Sequence, residues 1–140
     1  MKITKNITLL IISAVLITSC SIFKKISAPN YNPVTYQLSV SADSIINALY
    51  TGFTNGSDLS YNGDVYLTVE NIINQKINID STRKYPSQIL AIDRTYLEVV
   101  ETAKQDHQRD GKISRNHINV NGALLKQIGN ILVTTEKTYK

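Results

Sequence analysis

The sequence predicts a small all-α bundle of about four helices, and three observations carry that prediction. Apolar residues recur at i, i+3/i+4 spacing in four separate stretches. The connections between these stretches are short, which makes sequential helices pack as antiparallel neighbours. The chain has one cysteine, so no disulfide framework is available and packing must hold the domain together. A length of 140 residues supports one domain, and 42% hydrophobic residues is ordinary for a globular chain. Disordered and multi-span membrane classes are excluded on that composition.

The first helix is expected in "SADSIINALYTGF", where Ile45, Ile46, Leu49, Tyr50 and Phe53 share a face and Ser41 or Asp43 serves as cap. Residues 62 to 79 read two ways. Val65, Tyr66, Val69, Ile72, Ile73 and Ile77 fit a helix, and Glu70 to Lys76 continues it with good helix formers. "LSYNGDVYLTV" also fits a hairpin around Asn62-Gly63, which gives an α+β alternative with a short hairpin near residues 59–69 and a further strand near 34–40. The helix is the preferred reading.

Pro86 to Arg109 carries the clearest pattern. Ile89, Ile92, Tyr96, Val99, Val100 and Ala103 line one face, Ser87 is placed to cap the start, and Gly111 is placed to terminate the helix. The last helix is expected from Ser114, with Ile113 and Ile118 as a hydrophobic staple. Ile118, Leu125, Ile128 and Leu132 follow near heptad spacing, and Leu124 and Ile131 are expected to widen the face. Asn121-Gly122 weakens its first turns, so a start at Asn121 is the alternative.

Ahead of the domain, "MKITKN" is short and positive, and "ITLLIISAVLI" is apolar and uncharged. Thr18, Ser19 and Cys20 follow. Eleven residues rise only about 16 Å as a helix, well short of the roughly 30 Å hydrocarbon core. This is the layout of a secretory signal over residues 1–19. Ile17-Thr18-Ser19-Cys20 resembles the lipobox of bacterial lipoproteins. The resemblance implies diacylglyceryl transfer to the Cys20 thiol, cleavage before Cys20, and often acylation of the new amino terminus. It also implies a lipid-anchored protein at the cell membrane or outer membrane, facing periplasm or exterior. Ser21 after the cysteine resembles enteric lipoproteins sent to the outer membrane.

Residues 20–35 are expected to form a lipidated tether, since Pro29, Pro33, Asn30 and Asn32 argue against regular structure. The single domain is then 36–140. Lys24 and Lys25 are placed to rest on anionic headgroups. The formal charge of +4 falls to +2 once Lys2 and Lys5 leave with the leader, 13 basic residues against 11 acidic. Those charges form no basic stripe, so no nucleic-acid partner is expected.

The most site-like stretch is "DHQRDGKISRNH", residues 106 to 117. It is similar to the calcium loop of an EF-hand, with Asp106 at loop position 1, Asp110 at 5, Gly111 at 6, Ile113 at 8 and Ser114 at 9. The departures are Gln108 at position 3 and His117 at position 12, where a bidentate carboxylate is required and an imidazole cannot supply two oxygens. An ordinary helix–turn–helix joint is the expectation. A Ca²⁺ or small-ligand site using Asp106, Asp110 and Ser114 is the alternative. His107 and His117 are expected to be exposed on the turn, and Glu98 and Glu101 to lie on a solvated helix face.

No GxSxG elbow, HExxH helix or phosphate-cradling loop is present in the sequence. The expected function is therefore non-enzymatic, a membrane-anchored structural or protein-interaction module with no cofactor beyond the covalent lipid on Cys20. Tyr31, Tyr36, Tyr61, Tyr85 and Tyr139, placed near loops and termini, tilt the reading toward a protein partner.

Overall fold

A computed structural model describes residues 30–56, 59–84 and 86–139. It contains four helices: α1 (Pro33–Thr54), α2 (Gly63–Asp80), α3 (Ser87–Asp110) and α4 (Arg115–Thr138). Among the described residues the only β pairing is an isolated antiparallel bridge between Ser60 and Lys112. The all-α bundle is thus the architecture, and the hairpin alternative is corrected: Asn62-Gly63 opens α2 instead. The Asn62 side chain accepts from the Asp64 N–H at 3.2 Å, the role of an N-cap.

Each helix packs on two neighbours, α1 on α2 and α4, and α3 on α2 and α4. Short connections make sequential helices antiparallel. The chain therefore has an entry end, where α1 and α3 begin and α2 and α4 finish, and a far end holding the α1–α2 and α3–α4 connections. The buried residues fall mostly at three- and four-residue steps, the spacing of a single buried helix face. In α3 they are Ile89, Asp93, Tyr96, Val100, Ala103 and His107; in α4, Ile118, Leu125, Gly129, Leu132 and Glu136.

Two boundaries, the starts of α1 and α3, differ from the sequence reading for local reasons, while the start of α4 agrees with it. α1 begins at Pro33, well before Ser41. Pro33 sits in the first turn, where its missing N–H costs nothing, and Asn32 accepts from the N–H groups of Val34 (2.9 Å) and Thr35 (3.4 Å). Residues 33–35, expected as tether, are therefore helix. α3 has Pro86 at its N-cap with no side-chain cap bond, so Ser87 is the first helical residue. α4 begins at Arg115, with Ser114 Oγ accepting from His117 N–H at 3.2 Å and both staple residues, Ile113 and Ile118, buried. Gly111 ends α3 at φ +67°, a left-handed conformation that glycine adopts without a Cβ penalty.

The face of α4 is narrower than expected. Leu124 and Ile131 are 41% and 46% exposed, because helices at the corners of a four-membered ring bury little beyond their seam residues. Where α4 meets α1, the helices come close. A Cβ at Gly129 would lie 2.0 Å from Asp43 Oδ1 and 3.3 Å from Tyr96 Cε2. One heptad away, a Cβ at Gly122 would lie 2.9 Å from Tyr50 Cδ1.

Candidate functional site

The seam carries charge at the entry end. Lys76 and Asp80 on α2, Asp93 on α3 and Glu136 on α4 occupy core positions with fully buried side chains. Lys76 Nζ lies 2.5 Å from Asp80 Oδ2, 2.6 Å from Asp93 Oδ1 and 2.9 Å from Glu136 Oε1. Arg83, from the α2–α3 connection, closes the group. Its Nη1 donates to Asp80 Oδ1 (2.6 Å), Glu136 Oε1 (2.9 Å) and Thr35 Oγ1 (3.3 Å), and its Nη2 donates to the Asn30 carbonyl. The guanidinium also stands 5.9 Å from the centroid of the Tyr139 ring. The cluster ties all four helices, one loop and the segment ahead of α1 to one another.

Its electrostatics are unbalanced, with three carboxylates facing two cations. Asp80 accepts from both Lys76 and Arg83, and Glu136 accepts from Arg83 and forms an ion pair with Lys76, whereas Asp93 Oδ2 has no hydrogen-bond partner. Burial pushes the Asp93 carboxyl up to about 7; Lys76 works against that rise, and the neighbouring Asp80 adds to it. For the Lys76 ammonium, burial favours loss of the proton, but Asp93, Asp80 and Glu136 together more than reverse this and raise its pKa. Such a cluster holds a proton and fixes helix register.

A second polar centre lies at the far end. His107, expected to be exposed, is fully buried on the seam of α3. Its Nε2 is 2.8 Å from the Leu59 carbonyl and its Nδ1 is 3.1 Å from the Tyr66 hydroxyl. A carbonyl only accepts, so Nε2 donates to Leu59 and the Tyr66 hydroxyl donates to Nδ1. The rings of Phe53, Tyr61 and Tyr66 surround the imidazole edge-on at 5.5 to 5.9 Å. Here the histidine fastens the α1–α2 connection to α3.

The 106–117 stretch divides between structural elements. Asp106 and Asp110 belong to the last turns of α3, Gly111 is its cap, and Ser114 is the cap of α4. Asp106 Oδ2 pairs with His117 Nε2 at 2.9 Å and its Oδ1 with Arg109 at 3.0 Å; Asp110 pairs with Arg109 at 2.8 Å. Ser114 Oγ is engaged by the His117 N–H. Asp106 and Ser114 thus serve the joint between α3 and α4, and Asp110 pairs with its neighbour Arg109. Among the described residues, no group of three or more His, Cys, Asp or Glu is placed to hold a metal. Glu98 and Glu101 lie exposed on α3, and a shallow hollow of about 250 Å³ opens between α1 and α4 beside Asn47, Thr51, Gly122 and Lys126.

Cys20 lies outside the described residues. No described helix is long and apolar enough to cross a membrane. Sequence reasoning missed the Lys76 cluster, although a signal was present: Lys76, Asp80, Asp93 and Glu136 continue the apolar seams of Ile73, Ile89 and Leu132 in phase. No family model matches the chain, and neither a curated protein nor a solved structure was found to be similar to it.

Proposed function

We propose that the chain is a lipid-anchored envelope protein whose helical bundle works without catalysis, as a structural or protein-interaction module. The observation that carries this reading is Ile17-Thr18-Ser19-Cys20 behind a basic and apolar leader, with the single thiol of the chain at the position of attachment. A diacylglyceryl group on Cys20 supplies two buried chains, enough for stable attachment where one is marginal. The arrangement of the bundle is in keeping with such a role. Its fully buried ionisable groups, Lys76, Asp80, Asp93, Glu136 and His107, are engaged internally in holding helices and connections together.

The test is the intact mass of protein purified from the membrane fraction, for the wild type and for Cys20→Ala. The reading expects a wild-type chain beginning at Cys20 and carrying added acyl mass. Cys20→Ala is expected to keep its leader and gain no acyl mass. Wild-type protein in the membrane fraction without acyl addition would sink it.

A further inference from the structure

The buried cluster has an effect on the surface around it. Within the two turns next to the entry end, the carboxylates of the described helices are Asp80, Asp93 and Glu136, and all three are drawn inside by Lys76 and Arg83. Among the described residues, Lys84 and Lys137 are exposed cations at that end. Val34, in the first turn of α1, is 54% exposed. Tyr31 and Tyr36 lie beside it with ring centroids 6.2 Å apart, and Tyr139 stands over Arg83; all three are half-buried. The far end differs, with exposed Asp64 and Asp110 mixed among Arg109, Lys112 and Arg115.

We propose that the entry end of the bundle, formed by Tyr31, Val34, Tyr36, Lys84, Lys137 and Tyr139, is a seating face for an anionic lipid surface. The inference rests on the anchor reading given above and adds the orientation of the domain. Tyrosine favours the membrane–water interface because one end of the ring is apolar and the other wet. A lysine near an anionic surface is worth about a fivefold gain in partitioning. Chain length supplies the second argument. Asn30 is ten residues beyond Cys20, and ten residues reach at most about 36 Å, so the end carrying Asn30 is the one held within reach of the bilayer. Seated this way, α3, with 24 residues, stands about 36 Å from the surface and presents the α1–α2 and α3–α4 connections outward.

The experiment uses the mature protein in vesicles of neutral lipid containing a minority of phosphatidylglycerol and a headgroup-attached quencher. A fluorophore is placed on Val34→Cys in one sample and on the far-end Asn116→Cys in another. The proposal expects the probe at 34 to be quenched several-fold more than the probe at 116. It also expects Lys84→Glu with Lys137→Glu to remove most of that difference, circular dichroism confirming the fold. In vesicles without anionic lipid the difference should shrink likewise. Equal quenching at both positions, or stronger quenching at 116, overturns the seating face. Intact mass reports the acyl group separately, so its absence overturns the anchor reading alone.

Discussion

Asp93 makes the stability of the bundle depend on pH in an unusual direction. Its carboxyl has an ordinary value of 3.8 and is raised to about 7 in the folded chain by burial. Below pH 4 both folded and unfolded chains carry the proton, and the stabilisation is fully present. Between pH 4 and 7 the unfolded chain releases it while the folded chain holds it, so stability falls by about 1.4 kcal/mol per pH unit. Above 7 both have released it and the slope from this group vanishes. A rise of about three units corresponds to roughly 4 kcal/mol, a large part of the 5–15 kcal/mol of a typical domain. Asp93→Asn keeps the shape and the oxygen facing Lys76 but cannot ionise. Urea denaturation of wild type and variant at pH 4 to 8 isolates the effect, since carboxylates outside the cluster cancel in the difference. The variant is expected to gain on the wild type by up to about 4 kcal/mol across that range, or roughly 15 °C in Tm. A constant difference, or a variant that loses ground as pH rises, would show an ionised Asp93 held by Lys76 throughout and refute the reasoning.

Two further substitutions test the packing. Gly129→Ala forces a Cβ against Asp43 Oδ1 and Tyr96 Cε2, an overpacking cost of about 1–3 kcal/mol set against the roughly 1 kcal/mol that alanine gains in a helix. Made on an Asp43→Ala background, the same change is expected to be neutral or stabilising by thermal melting; equal losses on both backgrounds would show that Asp43 is not the obstacle. Tyr66→Phe removes the hydroxyl that serves buried His107 Nδ1 and is expected to lower stability by about 1–3 kcal/mol at unchanged m-value. An unchanged denaturation midpoint would mean that the ring nitrogen finds another donor.

How much of this was legible in the sequence depended on whether apolarity and phase agreed. Ile89, Tyr96, Val100 and Ala103 gave α3 its face and Gly111 its end, because there the buried residues are also the hydrophobic ones. The first two turns of α1 were missed because its buried residues there are Thr35 and Ser39, which carry no hydrophobic signal, and because Pro33 was read as a breaker when it stands at the one place a helix accepts proline. Asn62-Gly63 kept a hairpin alternative open beside the preferred helix, since the same asparagine suits a hairpin turn and a helix cap. The cluster at Lys76, Asp80, Asp93 and Glu136 escaped because a charged residue reads as surface until its partners are known. Those partners come from three helices and a loop. His107 and the Tyr66 hydroxyl were hidden by the same separation, 41 positions along the chain.

The bond from Arg83 to the Asn30 carbonyl also sets how the domain meets a mechanical load. Tension on the segment ahead of α1 reaches Arg83 before it reaches the first turn of the helix, and is shared through Glu136 and Asp80 with α4 and α2. If the opposing grip is at the far end, the pull runs along the helix axes. The seam layers between Thr35 and Phe53 then resist together in shear, where a pull at right angles would peel them one turn at a time.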